Sequence, residues 1–149
     1  MGHSLTPLLD GSAENVRNGA LYVYSMLTTV DSSFNPFADE VTPPDFNKRG
    51  LLRGVVTERY KFARYFSPLG FNKPITLDEL FNGNDVELYD VLNDPNELNN
   101  LALDREANAE LIEEMNRLLN DLIEREIGVD NGIEITTGLR FFGITQNGR

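Results

Sequence analysis

Cysteine is absent from the 149 residues, and with it go disulfide frameworks, thiolate metal sites and cysteine nucleophiles. That absence leaves the compartment undecided, since cytosolic and periplasmic chains both tolerate it. Histidine occurs once, at His3, which excludes a histidine-pair metal site and any relay built on several imidazoles. Cations are scarce: 13 lysines and arginines face 24 aspartates and glutamates, for a formal charge of −11. Adhesion to a phosphate backbone draws on Lys and Arg, so no nucleic-acid partner is expected. No stretch approaches the roughly 20 apolar residues of a membrane helix, and no membrane partner is expected. Met1-Gly2-His3 shows neither a basic n-region nor an apolar h-region, so no secretion signal is read there and localisation stays open.

What is present describes a folded chain. A hydrophobic share of 40% with 25% charged residues is an ordinary globular balance. The length suits one domain or slightly more, able to bury about two-thirds of its unfolded surface.

The pattern turns on Glu87-Leu-Tyr-Asp-Val-Leu-Asn-Asp-Pro-Asn-Glu-Leu-Asn-Asn-Leu-Ala102. Leu88, Tyr89 and Val91 suit a half-buried strand. Asn93-Asp94-Pro95-Asn96 breaks it, because proline cannot donate to a ladder and Asn and Asp bond back to their own backbone. Asn99-Asn100 gives a second break before a long helix. That helix is expected over Arg105–Ile127, capped by Asp104 and closed by Gly128. Leu111, Met115, Leu118 and Leu122 form its apolar stripe, widened by Ile112, Leu119 and Ile123. At about 1.5 Å per residue it would run roughly 35 Å and cross a whole sheet. So wide a stripe reads as core, not as a partner-binding zipper.

Upstream, residues 1–18 read as an irregular lead-in broken by Pro7 and Gly11. Gly19–Leu27 reads as a strand whose apolar residues do not alternate, which predicts cover on both faces. Residues 28–47, with Pro36, Pro43 and Pro44, form a long loop of the kind that is functional or mobile. Residues 50–57 and 59–66 pair as a hairpin through the polar turn Thr57-Glu58-Arg59-Tyr60. In the second run Tyr60, Phe62, Arg64 and Phe66 share one face, and Lys61, Ala63 and Tyr65 the other. A basic and aromatic strand of this kind could stack nucleic-acid bases, but the net charge argues that its aromatics are core and its cations neighbours of acidic groups. Thr76-Leu-Asp-Glu-Leu-Phe81 suits one short helix with Thr76 as N-cap. Asn82-Gly83-Asn84-Asp85 ends it and fails as a calcium loop, because Val86 falls where an oxygen ligand is needed. Ile133–Ile144 could form a hairpin turning at Thr137-Gly138, whose Phe141 and Phe142 would need burial.

Three segments resemble one family in collinear order. Gly2-His3-Ser4-Leu5-Thr6-Pro7-Leu8-Leu9-Asp10-Gly11 resembles Gly-x-Ser-Leu-x-Pro-Leu-Leu-x-Gly. Thr57-Glu58-Arg59-Tyr60-Lys61-Phe62-Ala63-Arg64-Tyr65 resembles Thr-x-Arg-Tyr-Lys-Tyr-x-Arg-Tyr. The stretch from Glu87 resembles a Glu-Leu-Tyr-Asp, Asn-Asp-Pro-x-Glu, Asn-Leu-Ala junction. All three patterns belong to the C-terminal part of the type I, formylglycine-dependent sulfatases and arylsulfatases. The resemblance runs from about Gly2 to Ile127 and is silent about substrate. It implies an α+β fold, a small antiparallel sheet packed against one long C-terminal helix over residues 1–128, with 129–149 as a tail. It also implies a sulfatase catalytic domain as natural partner.

The family's chemistry does not map onto this chain. Its formylglycine arises from a Cys/Ser-x-Pro/Ala-x-Arg signature that no residue here begins. Its calcium ligands sit in the large domain, so no cofactor or metal site is expected in this chain. Arg53, Arg59 and Arg64, together with His3, are the candidate substrate-binding residues, since Arg can grip a sulfate with paired donors. Surface ion pairing is the reading preferred for the arginines, and His3 sits at a variable position of its motif. Asp85, Glu87 and Asp90 could instead form a carboxylate acid–base site, which needs a spacing of about 5–9 Å. Three functions therefore compete: a sulfatase C-terminal subdomain inactive alone, a stand-alone binding or oligomerisation module, and an enzyme with a carboxylate site. The first is adopted, with self-association expected wherever the face that meets the large domain lies open.

Overall fold

The hairpin organises the sheet. Among the described residues of the computed structural model (4–26, 31, 35, 37, 39 and 45–130), β2 spans Leu51–Val56 and β3 spans Tyr60–Phe66. They pair antiparallel with Arg53 opposite Arg64 and Val55 opposite Phe62. Thr57 closes the turn. Its N–H donates to Tyr60 O at 2.8 Å, and its Oγ1 accepts from Tyr60 N at 2.8 Å. β1 (Ala20–Ser25) joins one side of the hairpin and β4 (Asp85–Asp90) the other, giving an antiparallel sheet in the order β1-β2-β3-β4. The described residues also form the helices α1 (Thr6–Leu9), α2 (Leu77–Gly83) and α3 (Ala109–Glu126). The architecture is α+β, a four-stranded antiparallel sheet under one long helix, as the sequence predicts.

The core lies between α3 and one face of the sheet. Val55, Phe62, Val86 and Leu88 from the strands meet Ile112, Met115, Leu119, Leu122 and Ile123 from the helix, with Leu80 of α2 and Ala102 closing one end. Phe62, Leu80, Leu88, Ile112, Leu119 and Leu122 are fully buried. Each such side chain contributes about 1.5–3 kcal/mol of hydrophobic stabilisation. Gly19 lets the chain slip beneath the helix: a Cβ there would stand 2.8 Å from Val55 Cγ2 and 3.4 Å from Leu122 Cδ1.

α2 forms with Thr76 as its N-cap, as predicted, but runs on through Asn82 and Gly83, which the sequence reading places at its end. Thr76 Oγ1 accepts from Glu79 N, and the Glu79 side chain accepts from Thr76 N, a full capping box. α3 is shorter than predicted. Residues 101–108 are used by a 3₁₀ turn at Leu101–Leu103 and further turns, in which Asp104 accepts from Ala107 N at 3.2 Å, so the helix begins at Ala109. Its buried stripe is Ile112, Met115, Leu119, Leu122 and Ile123, while Leu111 and Leu118 flank it half-buried. Gly128 ends the helix at φ +88, where a side chain would be strained. The lead-in also holds more structure than expected, because Pro7 opens the single turn of α1 instead of breaking it.

The strand Gly19–Leu27 is corrected in both extent and environment. Among the described residues β1 is an edge strand, and Tyr22, Val23 and Tyr24 are 53%, 39% and 49% exposed. Tyr22 and Tyr24 stack on the face away from α3, with ring centroids 6.2 Å apart. Lack of alternation reflected aromatic residues on an open face, not cover on both sides.

The opposite edge is closed by a side chain. Asn100 lies alongside β4 in the manner of a partner strand. Its Oδ1 accepts from Leu88 N at 3.0 Å, its Nδ2 donates to Val86 O at 3.1 Å, and Oδ1 also takes Ala102 N at 3.0 Å. The Asn-Asp-Pro-Asn-Glu turn sets up this reach. Asp94 Oδ2 accepts from Asn99 N at 2.8 Å, and Glu97 takes a left-handed φ of 54 while pairing with Lys61. Residues 131–149, with the expected hairpin and its phenylalanines, lie outside the described residues, as do His3 and most of 28–47.

Candidate functional site

Two of the four candidate residues come together. Arg53 and Arg64 are cross-strand partners on the helix-facing side of the sheet, and each is only 2% exposed. This overturns the surface ion pairing expected for them. A guanidinium under a helix loses its hydration, which is costly unless its donors are met.

Arg53 is met by charge. Its Nε donates to Asp130 Oδ2 at 2.9 Å and its Nη2 to Asp130 Oδ1 at 3.3 Å, while Nη1 reaches Leu52 O at 3.2 Å. Its guanidinium also lies over the Phe66 ring, 5.4 Å from the centroid. Arg64 is met by amides. Nη1 donates to Asn116 Oδ1 at 2.7 Å and to Asn120 Oδ1 at 2.9 Å. Both amides are held in place by donating Nδ2 to Pro74 O, each at 2.9 Å. Burial pushes the Arg64 pKa down to about 10; the like charge of Arg53 adds to this, and Asp130 opposes it.

Arg59 stands apart at the hairpin turn. It grips Asp90 through Nε (3.1 Å) and Nη2 (2.8 Å) and lies over Tyr60. For this residue the expected surface ion pair is what the structure contains. The hydrogen bond from Arg59 holds the Asp90 carboxyl down to about 2, with Asn93 adding to it.

The three carboxylates of β4 do not converge. Asp85 pairs with Arg49, Glu87 accepts from Tyr65 Oη at 2.9 Å, and Asp90 belongs to Arg59 on the opposite face. Burial, followed by the Glu87 contact, drives the Tyr65 phenol up. Among the described residues no group of three or more His, Cys, Asp or Glu side chains could hold a metal ion, and no helix is long and apolar enough to cross a membrane.

Beside Arg64 lies a cavity of about 400 Å³, walled by Phe71, Lys73, Ile123, Glu124 and Asp130. Sequence reasoning missed Asn116, Asn120, Lys73 and Asp130. Asn116 did leave a signal, as a polar residue four after Ile112 and three before Leu119, inside the buried stripe.

No family model matches the chain. A search of curated proteins finds no significant match. Solved structures do share its fold. One is BT4656 in complex with its substrate D-glucosamine-2-N,6-O-disulfate, at TM-score 0.54 and 20% identity over 90% of this chain and 22% of that one. Another is a protein of Bacteroides thetaiotaomicron VPI-5482 assigned as a sulfatase, at TM-score 0.50 and 24% identity over 83% of this chain and 20% of that one. The α+β fold of this chain is thus shared with a part of each of these two structures. This chain spans about a fifth of the length of the solved chains it matches.

Proposed function

We propose that the chain is the C-terminal subdomain of a sulfuric ester hydrolase, without hydrolytic activity on its own. The observation that carries this reading is the shared fold over 90% of the chain. The collinear motifs agree with it: the Thr57–Tyr65 segment is the hairpin turn with most of β3, and the segment from Glu87 is most of β4 and its junction, side by side in the sheet. Inactivity follows from composition, because no Cys or Ser in the chain opens a formylglycine signature. The purified 149-residue chain is expected to release no 4-nitrophenol from 4-nitrophenyl sulfate above the buffer rate, and measurable turnover would refute the reading. Its origin is tested by the mass of the native product together with the DNA upstream. An in-frame Cys/Ser-x-Pro/Ala-x-Arg supports a sulfatase subdomain, whereas a native product of 149 residues opposes it.

One observation favours a second reading, a self-associating module. β1 is an edge strand with exposed Tyr22, Val23 and Tyr24, and among the described residues nothing pairs with its outer side. An uncovered edge is a template for another strand. Sedimentation velocity across a concentration series should show association, reduced in Val23→Lys. A monomer at the highest concentration would sink this second reading.

A further inference from the structure

Arg64 is a buried cation with no hydrogen-bonded counter-ion among the described residues. All its hydrogen bonds run through Nη1 to two neutral amides, and among the described residues no carboxylate forms an ion pair with it. Its Nε is buried with no hydrogen-bond partner. Buried charges are ordinarily paired, and an orphaned donor on a charged group costs more than one on a neutral group. The Asp130 carboxylate close by is engaged in a forked contact with Arg53. The cavity of about 400 Å³ beside Arg64 is large enough for a substituent group of a small molecule. A second cation, Lys73, stands in its wall. Lys73 is 54% exposed, and its contact with Glu124 is long, at 3.4 Å. An exposed pair of that kind is weak, so the ammonium can turn to a better acceptor.

We propose that this cavity is an anion-binding site, in which an oxyanion, a carboxylate or a sulfate ester, bridges Arg64 and Lys73. An oxyanion on Arg64 would give an acceptor to Nη2, which makes no hydrogen bond among the described residues, and charge-assisted bonds of this type are the strong ones. The inference stands on the geometry of the cavity and does not require the chain to be part of a hydrolase.

The test follows the arginine Nε–H signals of the full chain by ¹H–¹⁵N correlation NMR. The Arg64 signal is assigned by its loss in Arg64→Lys. Titration with sodium methyl sulfate or sodium acetate, against sodium chloride at equal ionic strength, is expected to move that signal along a saturable curve with at least one of the two oxyanions. The one that saturates at lower concentration identifies the group. Lys73→Ala, a change at an exposed side chain, should weaken the binding about fivefold. A response no different from chloride would overturn the site, and so would an unchanged titration in Lys73→Ala.

Discussion

Replacing Asn116 with alanine should lower the unfolding free energy by about 3 kcal/mol, a large loss for one uncharged side chain. The substitution takes away the shorter of the two acceptors on Arg64 Nη1, and one of the two donors on Pro74 O. The guanidinium stays buried with half its solvation, and a hydrogen bond to a charged group is worth about 1.5–3 kcal/mol before the orphaned polarity is added. Asn120 makes equivalent contacts from a half-buried position, where water can replace them, so Asn120→Ala should cost clearly less. Urea unfolding of both variants measures the difference, and the melting temperature of Asn116→Ala should fall by about 10 °C. A cost for Asn116→Ala below that for Asn120→Ala would show that Arg64 is not solvated as the geometry implies.

The second large effect is expected at Asn100, where alanine should cost about 2–3 kcal/mol. Three hydrogen bonds vanish together, and two of them satisfy the backbone of β4 at Leu88 and Val86. Leu88 is fully buried, so its stranded N–H has poor access to water and is left close to orphaned. Amide hydrogen exchange reads this directly. The Leu88 amide should lose protection in Asn100→Ala far more than Phe62, which keeps its strand partners on both sides. Equal protection in variant and wild type would remove Asn100 from its role at the edge.

Elements held by local chemistry were readable in the sequence. The hairpin turn rests on Thr57 bonding its own loop, and α2 on the Thr76 and Glu79 box, and both stand where residue type placed them. The errors arose where tertiary contacts decide. Nothing in the run Gly19–Leu27 distinguishes an edge strand from a central one, because that depends on which strands flank it. α3 starts late because Asp104 serves a turn ahead of the helix, and an acidic residue offers the same cap in either place. Arg64 was assigned to the surface on its charge alone. Its burial depends on Asn116 and Asn120, 52 and 56 residues further along, and a pairing so distant carries no local signature. Arg59 was read correctly, since its partner Asp90 meets it at the exposed end of two adjacent strands.

The two edges of the sheet differ, and the difference sets the symmetry of any assembly built on it. With Asn100 occupying β4, the described sheet has a single side on which another strand can be added. Copies that pair through β1 must do so β1 to β1, an isologous contact about a two-fold axis in which each patch consumes its own kind. Such a contact closes at two copies. The head-to-tail stacking that would lengthen into a fibre needs both edges, and removal of one amide, that of Asn100, would uncover the second.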